Sequence, residues 1–344
     1  MNVDYTIEKD SMAEMRYNLS YYGADYPVYS LVRKMKEDEF IFPNFQRQYV
    51  WKIDEASKFI ESLLLGLPVP SIFLAKDKYS GRLIVIDGQQ RLRTIQLFYE
   101  GIFPDGKAFK LRNVFTQING LTYQDLSAQD RRNLDDSIIH CLIISENENS
   151  NNIFYLFERL NTTGTPLTKQ EIRNAIYHGP FNDLLSEFSS NEIWKKLYHK
   201  EEYRLEDQEL ILRFLAFRFE FDNYSGNLNE FLNWFMLQNR SLDAISKNDM
   251  ENEFYGMIEL IFREIGESAF YHNKQFNRSL FETLSLFVSL NIEKRSFQGN
   301  IEPFYKKLID SEDFWQLSKS STTSKKNIQL NIDFANYIFE IVNK

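Results

Sequence analysis

The fold of this 344-residue chain is decided by the stretch from Leu83 to Thr94, which reads LIVIDGQQRLRT. Its apolar, β-branched beginning predicts a buried strand that ends at Asp87. Apolar residues at helical spacing follow, and they predict a helix that begins near Gly88 or Gln89. The stretch therefore predicts a strand, a glycine turn and a helix in immediate succession.

Two arginines, Arg91 and Arg93, stand in the first two turns of the predicted helix. A helix begins with backbone N–H groups that lack an intrahelical partner, and with partial positive charge, so further cations there are unfavourable. Gly88 has no Cβ, which lets another group approach the backbone closely. A bound phosphate would reverse the penalty, and we interpret the unit as an anion site. The alternative is a simple turn whose arginines are solvated or paired with Asp87.

The rest of the chain predicts an α+β fold, with a mixed first part and a helical second part. In the first part, a helix is predicted over residues 54–66 and strands over residues 71–77, 82–87 and 137–145. From about Asn149 the pattern is almost wholly helical, and Thr168 to Glu171 fits a capping box. The later helices are expected at residues 205–221, 228–238, 252–265, 278–292 and 327–342.

Composition narrows the class of protein. The formal net charge of −9 and the pI of about 5.2 count against non-specific duplex binding, which usually needs a basic protein. Cys141 is the single cysteine and lies in an apolar strand, which excludes a disulfide framework and indicates an inert thiol. No run reaches about 18 apolar residues, so no membrane span is expected. With no signal-peptide pattern at the N-terminus, we expect a cytoplasmic protein.

Two further stretches combine polar and aromatic residues. Residues 42–51 read FPNFQRQYVW, and their aromatic rings beside Arg47 and Gln46 could stack on a base while contacting phosphate. An aromatic core segment with an incidental arginine is the simpler interpretation. Residues 157–168 read FERLNTTGTPLT, which a connection between two helices explains almost entirely. Asn161 is the residue that such a connection does not require.

Two other stretches are weak candidates. Residues 101–108 read GIFPDGKA and match the spacing of a phosphate-binding P-loop except at Ala108, where Ser or Thr should hold magnesium. They also follow a helix and not a strand, so we predict a surface turn. Lys325 and Lys326 end a polar loop over residues 318–327. A solvated loop is the simpler interpretation, and contact with a nucleic-acid backbone is the alternative.

Taken together, the stretches FPNFQRQYVW, ESLLLGLPVPSIFL, VIDGQQRLRTIQLFYEG and FERLNTTGTPLTKQEIRNA resemble the N-terminal domain family of GmrSD-type, modification-dependent restriction enzymes. The resemblance covers roughly Leu31 to Ala175. It implies a ParB/sulfiredoxin-like domain with an attached all-helical domain. We therefore expect an extension over residues 1–30, a nucleotide-binding domain over residues 31–180 and a helical domain over residues 181–344.

The resemblance also implies which residues form the site. It ties the Asp-Gly-Gln-Gln-Arg element to nucleotide binding and hydrolysis, places the Phe-Gln-Arg unit in the same pocket, and matches Asn161 and Gly164 to a third motif. The expected catalytic residues are Asp87, Gln90 and Arg91. The expected nucleotide-binding residues are Gln46, Arg47, Gly88, Gln89, Arg91, Arg93, Thr94, Asn161 and Gly164. Base stacking or DNA contact is expected of Phe45, Tyr49, Lys325 and Lys326, and Asp87 is also a candidate metal ligand.

Two departures from the family pattern shape the functional expectation. Family members that cut DNA usually carry an HNH-type nuclease domain or subunit, and no such motif is visible in this chain, so a separate nuclease partner is expected. Arg93 stands where the family often has Thr, which adds a cation near the pocket. We expect an NTPase that uses Mg²⁺ or Mn²⁺ and senses modified DNA.

Other function classes stay open at this point. One alternative is a binding module that reads a modified nucleotide in DNA without turnover. Another is an inactive regulatory partner in an anti-phage or toxin–antitoxin operon. If Arg91 acts on the phosphates, Arg91→Ala should abolish turnover while leaving the melting temperature near that of the wild type.

Overall fold

The structure is a computed structural model that describes residues 20–42, 49–77, 79–145, 150–160, 167–200, 204–292, 301–318 and 323–342. The chain divides into two compact units, which comprise residues 1–167 and 168–344. The first unit combines a five-stranded sheet with helices. The second consists, over its described residues, of helices and one short hairpin. The predicted α+β fold is therefore confirmed.

The sheet of the first unit is mixed. Its strands are β1 (Ser20–Pro27), β2 (Phe40–Ile41), β3 (Ile72–Lys76), β4 (Leu83–Asp87) and β5 (Ile138–Ser145), in the order β1-β5-β3-β4-β2. The β1–β5 and β3–β4 pairs are antiparallel, whereas β5–β3 and β2–β4 are parallel. The pairing of β3 with β4 is irregular between Phe73 and Leu74, opposite the end of β4. Such bulges are frequent beside functional sites, because they change the direction of side chains.

Four helices pack their apolar residues against the sheet. They are α1 (Val28–Lys36), α2 (Ile53–Leu64), α3 (Gln89–Glu100) and α4 (Ala128–Asp136), and a fifth helix, α5 (Ser150–Leu160), completes the described part of the unit. Alternate residues of β3, β4 and β5 join the helices in one apolar core, which includes Leu31, Ile60, Leu74, Val85, Ile95 and Cys141. This core fixes the position of β4 and α3, and therefore of the junction between them.

The three strands predicted from sequence are found within a residue or two of the predicted bounds. Strands β1 and β2 were not predicted, and both lie at the edges of the sheet. β1 reads SYYGADYP and is mostly exposed, so it lacks the apolar density of a buried strand. β2 has only two residues and leaves no periodic signal.

The second unit contains ten described helices. They are α6 (Lys169–Ile176), α7 (Pro180–Ser189), α8 (Glu192–Tyr198), α9 (Glu206–Glu220), α10 (Leu228–Gln238), α11 (Lys247–Glu264), α12 (Arg278–Ile292), α13 (Glu302–Ile309), α14 (Glu312–Leu317) and α15 (Lys325–Val342). Thr168 and Glu171 form the predicted capping box. A hairpin of β6 (Tyr271–His272) and β7 (Gln275–Phe276) corrects the all-helical prediction. The predicted loop also ends early, because α15 begins at Lys325.

A buried ionic network joins the helices of this unit. Arg173, which has no exposed surface, donates to Asn233 (2.9 Å) and Glu209 (3.3 Å). Arg213 donates to Glu209 (2.7 Å) and to Glu282 (2.9 Å). Burial raises the pKa of Glu282. Each arginine of the network donates to a carboxylate or to an amide oxygen, so the network can lie inside an otherwise apolar bundle.

Helices of membrane-spanning length and apolarity are absent from the described residues.

Candidate functional site

The junction between β4 and α3 brings together the residues of the Asp-Gly-Gln-Gln-Arg element. Gly88 precedes the first residue of α3 and has φ of +100°, a conformation that residues with a Cβ rarely adopt. A Cβ at this position would lie 2.8 Å from Cγ1 of Ile72. Space and backbone conformation therefore both require glycine. The group that approaches Gly88 closely is the side chain of Ile72, at the start of β3.

The first turn of α3 keeps its N–H groups free of side-chain caps. No side chain caps the helix, and no acidic residue stands in its first turn. The first bond that closes a helical turn runs from Leu92 N–H to the carbonyl of Gly88 (3.0 Å). Uncapped N–H groups at a helix start carry partial positive charge and bind anions.

Arg91 forms its hydrogen bonds within the protein. Its guanidinium donates to Oδ2 of Asp87 (2.5 Å) and to the carbonyl oxygens of Pro70 (2.6 Å) and Ser71 (3.1 Å). Its side chain is 11% exposed, against 46% for Asp87. The pairing of Arg91 with Asp87 is the alternative that the sequence left open. It ties the start of α3 to the segment that leads into β3.

Gln90 and Thr94 hold the segment that follows the Phe-Gln-Arg unit. Oε1 of Gln90 accepts from the backbone N–H of Val50 (3.0 Å) and of Trp51 (3.4 Å). The Thr94 hydroxyl donates to the carbonyl of Gln90 (2.7 Å), so the hydroxyl of Tyr49 donates to Thr94 (2.7 Å). Two of the motifs found in the sequence are therefore adjacent in space.

Gln89 and Arg93 have donor groups without partners. Gln89 is 7% exposed, and its Nε2 is buried with no hydrogen bond in the described part of the chain. Nε of Arg93 is likewise buried and unbonded, while its guanidinium lies over the ring of Phe42, 5.0 Å from the centroid. Burial lowers the pKa of Arg93. The two residues are four apart on α3 and so share one face of the helix.

The residues present set limits on a metal site. No group of three His, Cys, Asp or Glu side chains that could hold a metal ion occurs among the described residues. Asp87 offers one carboxylate, whose Oδ2 already accepts from Arg91. Magnesium is often held by one or two carboxylates together with the phosphates of a substrate. The junction fits a metal that enters with a nucleotide, and it does not fit a metal held by protein ligands alone.

Two of the residues expected to contact bases or DNA, Tyr49 and Lys325, have partners within the protein. The ring of Tyr49 packs edge-on against Phe103 (5.5 Å between centroids), and burial raises its pKa to about 12. Tyr49 and Trp51 pack against the core, as the simpler interpretation of this segment expected. The ammonium group of Lys325 donates to the carbonyl of Asp222 (2.7 Å), whereas Lys326 is exposed.

Residues 101–108 form the predicted surface turn directly after α3, and Ile102 and Ala108 pair across this turn.

Five expected site residues lie outside the described residues, namely Phe45, Gln46, Arg47, Asn161 and Gly164. No sequence pattern indicated the part played by Ile72 or by the carbonyls of Pro70 and Ser71. Their contribution depends on contacts between segments that are far apart in the sequence.

A comparison with models of protein families gives a match. Residues 28–178 match the family model of the N-terminal domain of the GmrSD restriction endonuclease. The comparison with curated proteins finds no significant match. The matched range contains the junction and includes all of α6, the first helix of the second unit. The resemblance read from the sequence motifs is therefore confirmed for this range, and it indicates a component of a restriction or defence system.

Proposed function

We propose that the chain, whose residues 28–178 match the family model of the GmrSD restriction endonuclease N-terminal domain, is the nucleotide-binding, NTP-hydrolysing sensor component of a DNA modification-dependent restriction or anti-phage system. The observation that carries the proposal is the start of α3, which has no side-chain cap and no acidic residue in its first turn. Phosphate groups are the anions that helix N-termini most often bind. DNA and a separate HNH-type nuclease are the partners that such a component would serve.

Each residue of the junction has a definite part in this proposal. The free N–H groups of Gln89, Gln90 and Arg91 bind phosphate oxygens. Asp87, whose carboxylate is half exposed, orients the attacking water or contacts the divalent cation that a nucleotide brings. Gln90 fixes the neighbouring segment through Oε1, which leaves its Nε2 to donate to a phosphate oxygen or to the water. Phosphoryl transfer depends mainly on such positioning and on charge stabilisation.

A hydrolysis assay with a matched pair of variants tests the proposal. The four NTPs are incubated with the wild type and with Mg²⁺ or Mn²⁺, with and without DNA. Asp87→Asn keeps the shape of the side chain and should lower turnover by about 100-fold or more, because it removes the charge that orients the water or contacts the cation. Asp105→Asn, in the surface turn beside Lys107, removes the same charge and should leave turnover unchanged.

Failure of the proposal would be plain in the same experiment. A wild-type protein that neither binds nor hydrolyses any NTP under these conditions would rule out the nucleotide site. Binding without hydrolysis, together with a preference for modified over plain duplex, would instead support a module that reads DNA without turnover.

A further inference from the structure

The two arginines of the junction differ in their partners. Arg91 has an anionic partner and two carbonyl acceptors, so its charge is satisfied within the protein. Arg93 has no ion pair and no hydrogen bond among the described residues, and its one charge-related contact is with the ring of Phe42. Within the part of the chain that the structure describes, the junction therefore carries one paired cation, Arg91, and one unpaired cation, Arg93.

An unpaired, partly buried guanidinium is unfavourable in the free protein. Burial disfavours the charged form, and an aromatic ring offsets only about 0.5–2 kcal/mol of that cost. The start of α3 adds partial positive charge close by. A chain that keeps such a cation loses stability unless an anion binds, so the position of Arg93 points to a ligand.

Gln89 gives a second, independent indication of a ligand. It is the first residue of α3, it is more than nine-tenths buried, and its Nε2 donor has no partner among the described residues. Gln89 and Arg93 are four residues apart and leave the same helical face. Two unsatisfied donors on one face match a group that only accepts hydrogen bonds, as a phosphate does.

We propose that Arg93 and Gln89 provide the side-chain donors that bind the phosphate of the nucleotide, and that Arg91 is a positioning residue that holds the Gly88 turn. The inference rests on the proposed nucleotide site and assigns its side chains. It reverses the expectation for Arg91, whose loss should now reduce stability. It also gives Arg93, the departure from the family pattern, a direct part in binding.

The experiment measures binding and stability for each arginine separately. Binding of the NTP that the wild type prefers, and of inorganic tripolyphosphate as a probe without a base, is measured by calorimetry. Melting temperatures are measured with and without each probe. The variants are Arg93→Ala, Arg93→Lys, Arg91→Ala and Gln89→Ala. Arg112→Ala serves as the control, because that side chain is 68% exposed and pairs only loosely with Asp54 (3.7 Å).

Arg93→Ala should lower the affinity for the NTP and for tripolyphosphate by about 10- to 100-fold, the usual effect of losing a charged hydrogen bond. It should not lower the melting temperature of the free protein, since a partly buried cation without an anionic partner among the described residues is removed. Arg93→Lys should recover part of the affinity because it keeps the charge. Arg91→Ala should lower the melting temperature of the free protein by roughly 4–12 °C, because three hydrogen bonds within the protein are lost.

Three outcomes would overturn the inference while leaving the nucleotide site intact. The first is a wild type that binds NTP and an Arg93→Ala variant that binds it equally well. The second is loss of NTP binding with unchanged tripolyphosphate binding, which would assign Arg93 to the base. The third is Arg91→Ala losing affinity at an unchanged melting temperature. A wild type that binds neither probe would instead refute the proposed function itself.

Discussion

Gly88→Ala tests whether the junction is built as the geometry implies. The new Cβ would stand 2.8 Å from Cγ1 and 3.1 Å from Cγ2 of Ile72, closer than packed carbons approach. Relieving such overpacking costs about 1–3 kcal/mol. The φ of +100° adds about 1–2 kcal/mol for any residue with a Cβ. We therefore expect Gly88→Ala to lower the free energy of unfolding by about 2–5 kcal/mol.

Gly101 provides the matched control at the other end of α3. It also has a positive φ, of +77°, but no atom lies within 4 Å of the Cβ that alanine would add. Gly101→Ala should therefore cost only the backbone term of about 1–2 kcal/mol. Urea denaturation followed by far-UV circular dichroism compares the two variants. If the two substitutions lower the free energy of unfolding by amounts that agree within about 0.5 kcal/mol, the close packing of Ile72 on the turn is refuted.

Three further predictions follow from groups outside the junction. Cys141 is buried, and burial raises its pKa to about 12, so a maleimide reagent at pH 7 should label it only after unfolding, as intact-mass measurement would show. Arg213→Met should lower the free energy of unfolding by about 3–5 kcal/mol, because it leaves Glu282 buried without its cation. The double variant with Glu282→Leu should regain most of this free energy, as urea denaturation would show. Burial raises the pKa of both Tyr49 and Tyr305 from 10.0 to about 12, so the folded state holds protons there that the unfolded state releases. The stability that these groups contribute is complete below pH 10 and should fall between pH 10 and 12. Tyrosinate absorbance at 295 nm should rise at a higher pH in the folded protein than in the unfolded chain.

The sequence was most informative where one periodicity covers a whole element. The run from Leu83 to Asp87 and the helical spacing after it define β4 and α3, because apolar burial alone determines both. The edge strand β1 was missed, since its partly polar residues pair with β5 through backbone bonds that the side chains do not announce.

Local sequence likewise predicted only part of the candidate site. The sequence identified the glycine turn, the uncapped helix start and the two arginines. It could not tell which arginine finds a partner inside the protein. That depends on the carbonyls of Pro70 and Ser71, which are near in space and some 20 residues away in sequence. Likewise, the closeness of Ile72 to Gly88 follows from strand pairing, which local sequence does not encode.

The central claim is that a nucleotide binds at the start of α3. Amide hydrogen exchange of the wild type, measured with and without a saturating NTP and Mg²⁺, tests it most directly. Bound nucleotide should slow exchange in peptides that contain Gln89 to Arg91, because the free N–H groups of these residues become hydrogen-bonded to phosphate. Unchanged exchange in these peptides, under conditions where calorimetry shows the nucleotide bound, would contradict the account.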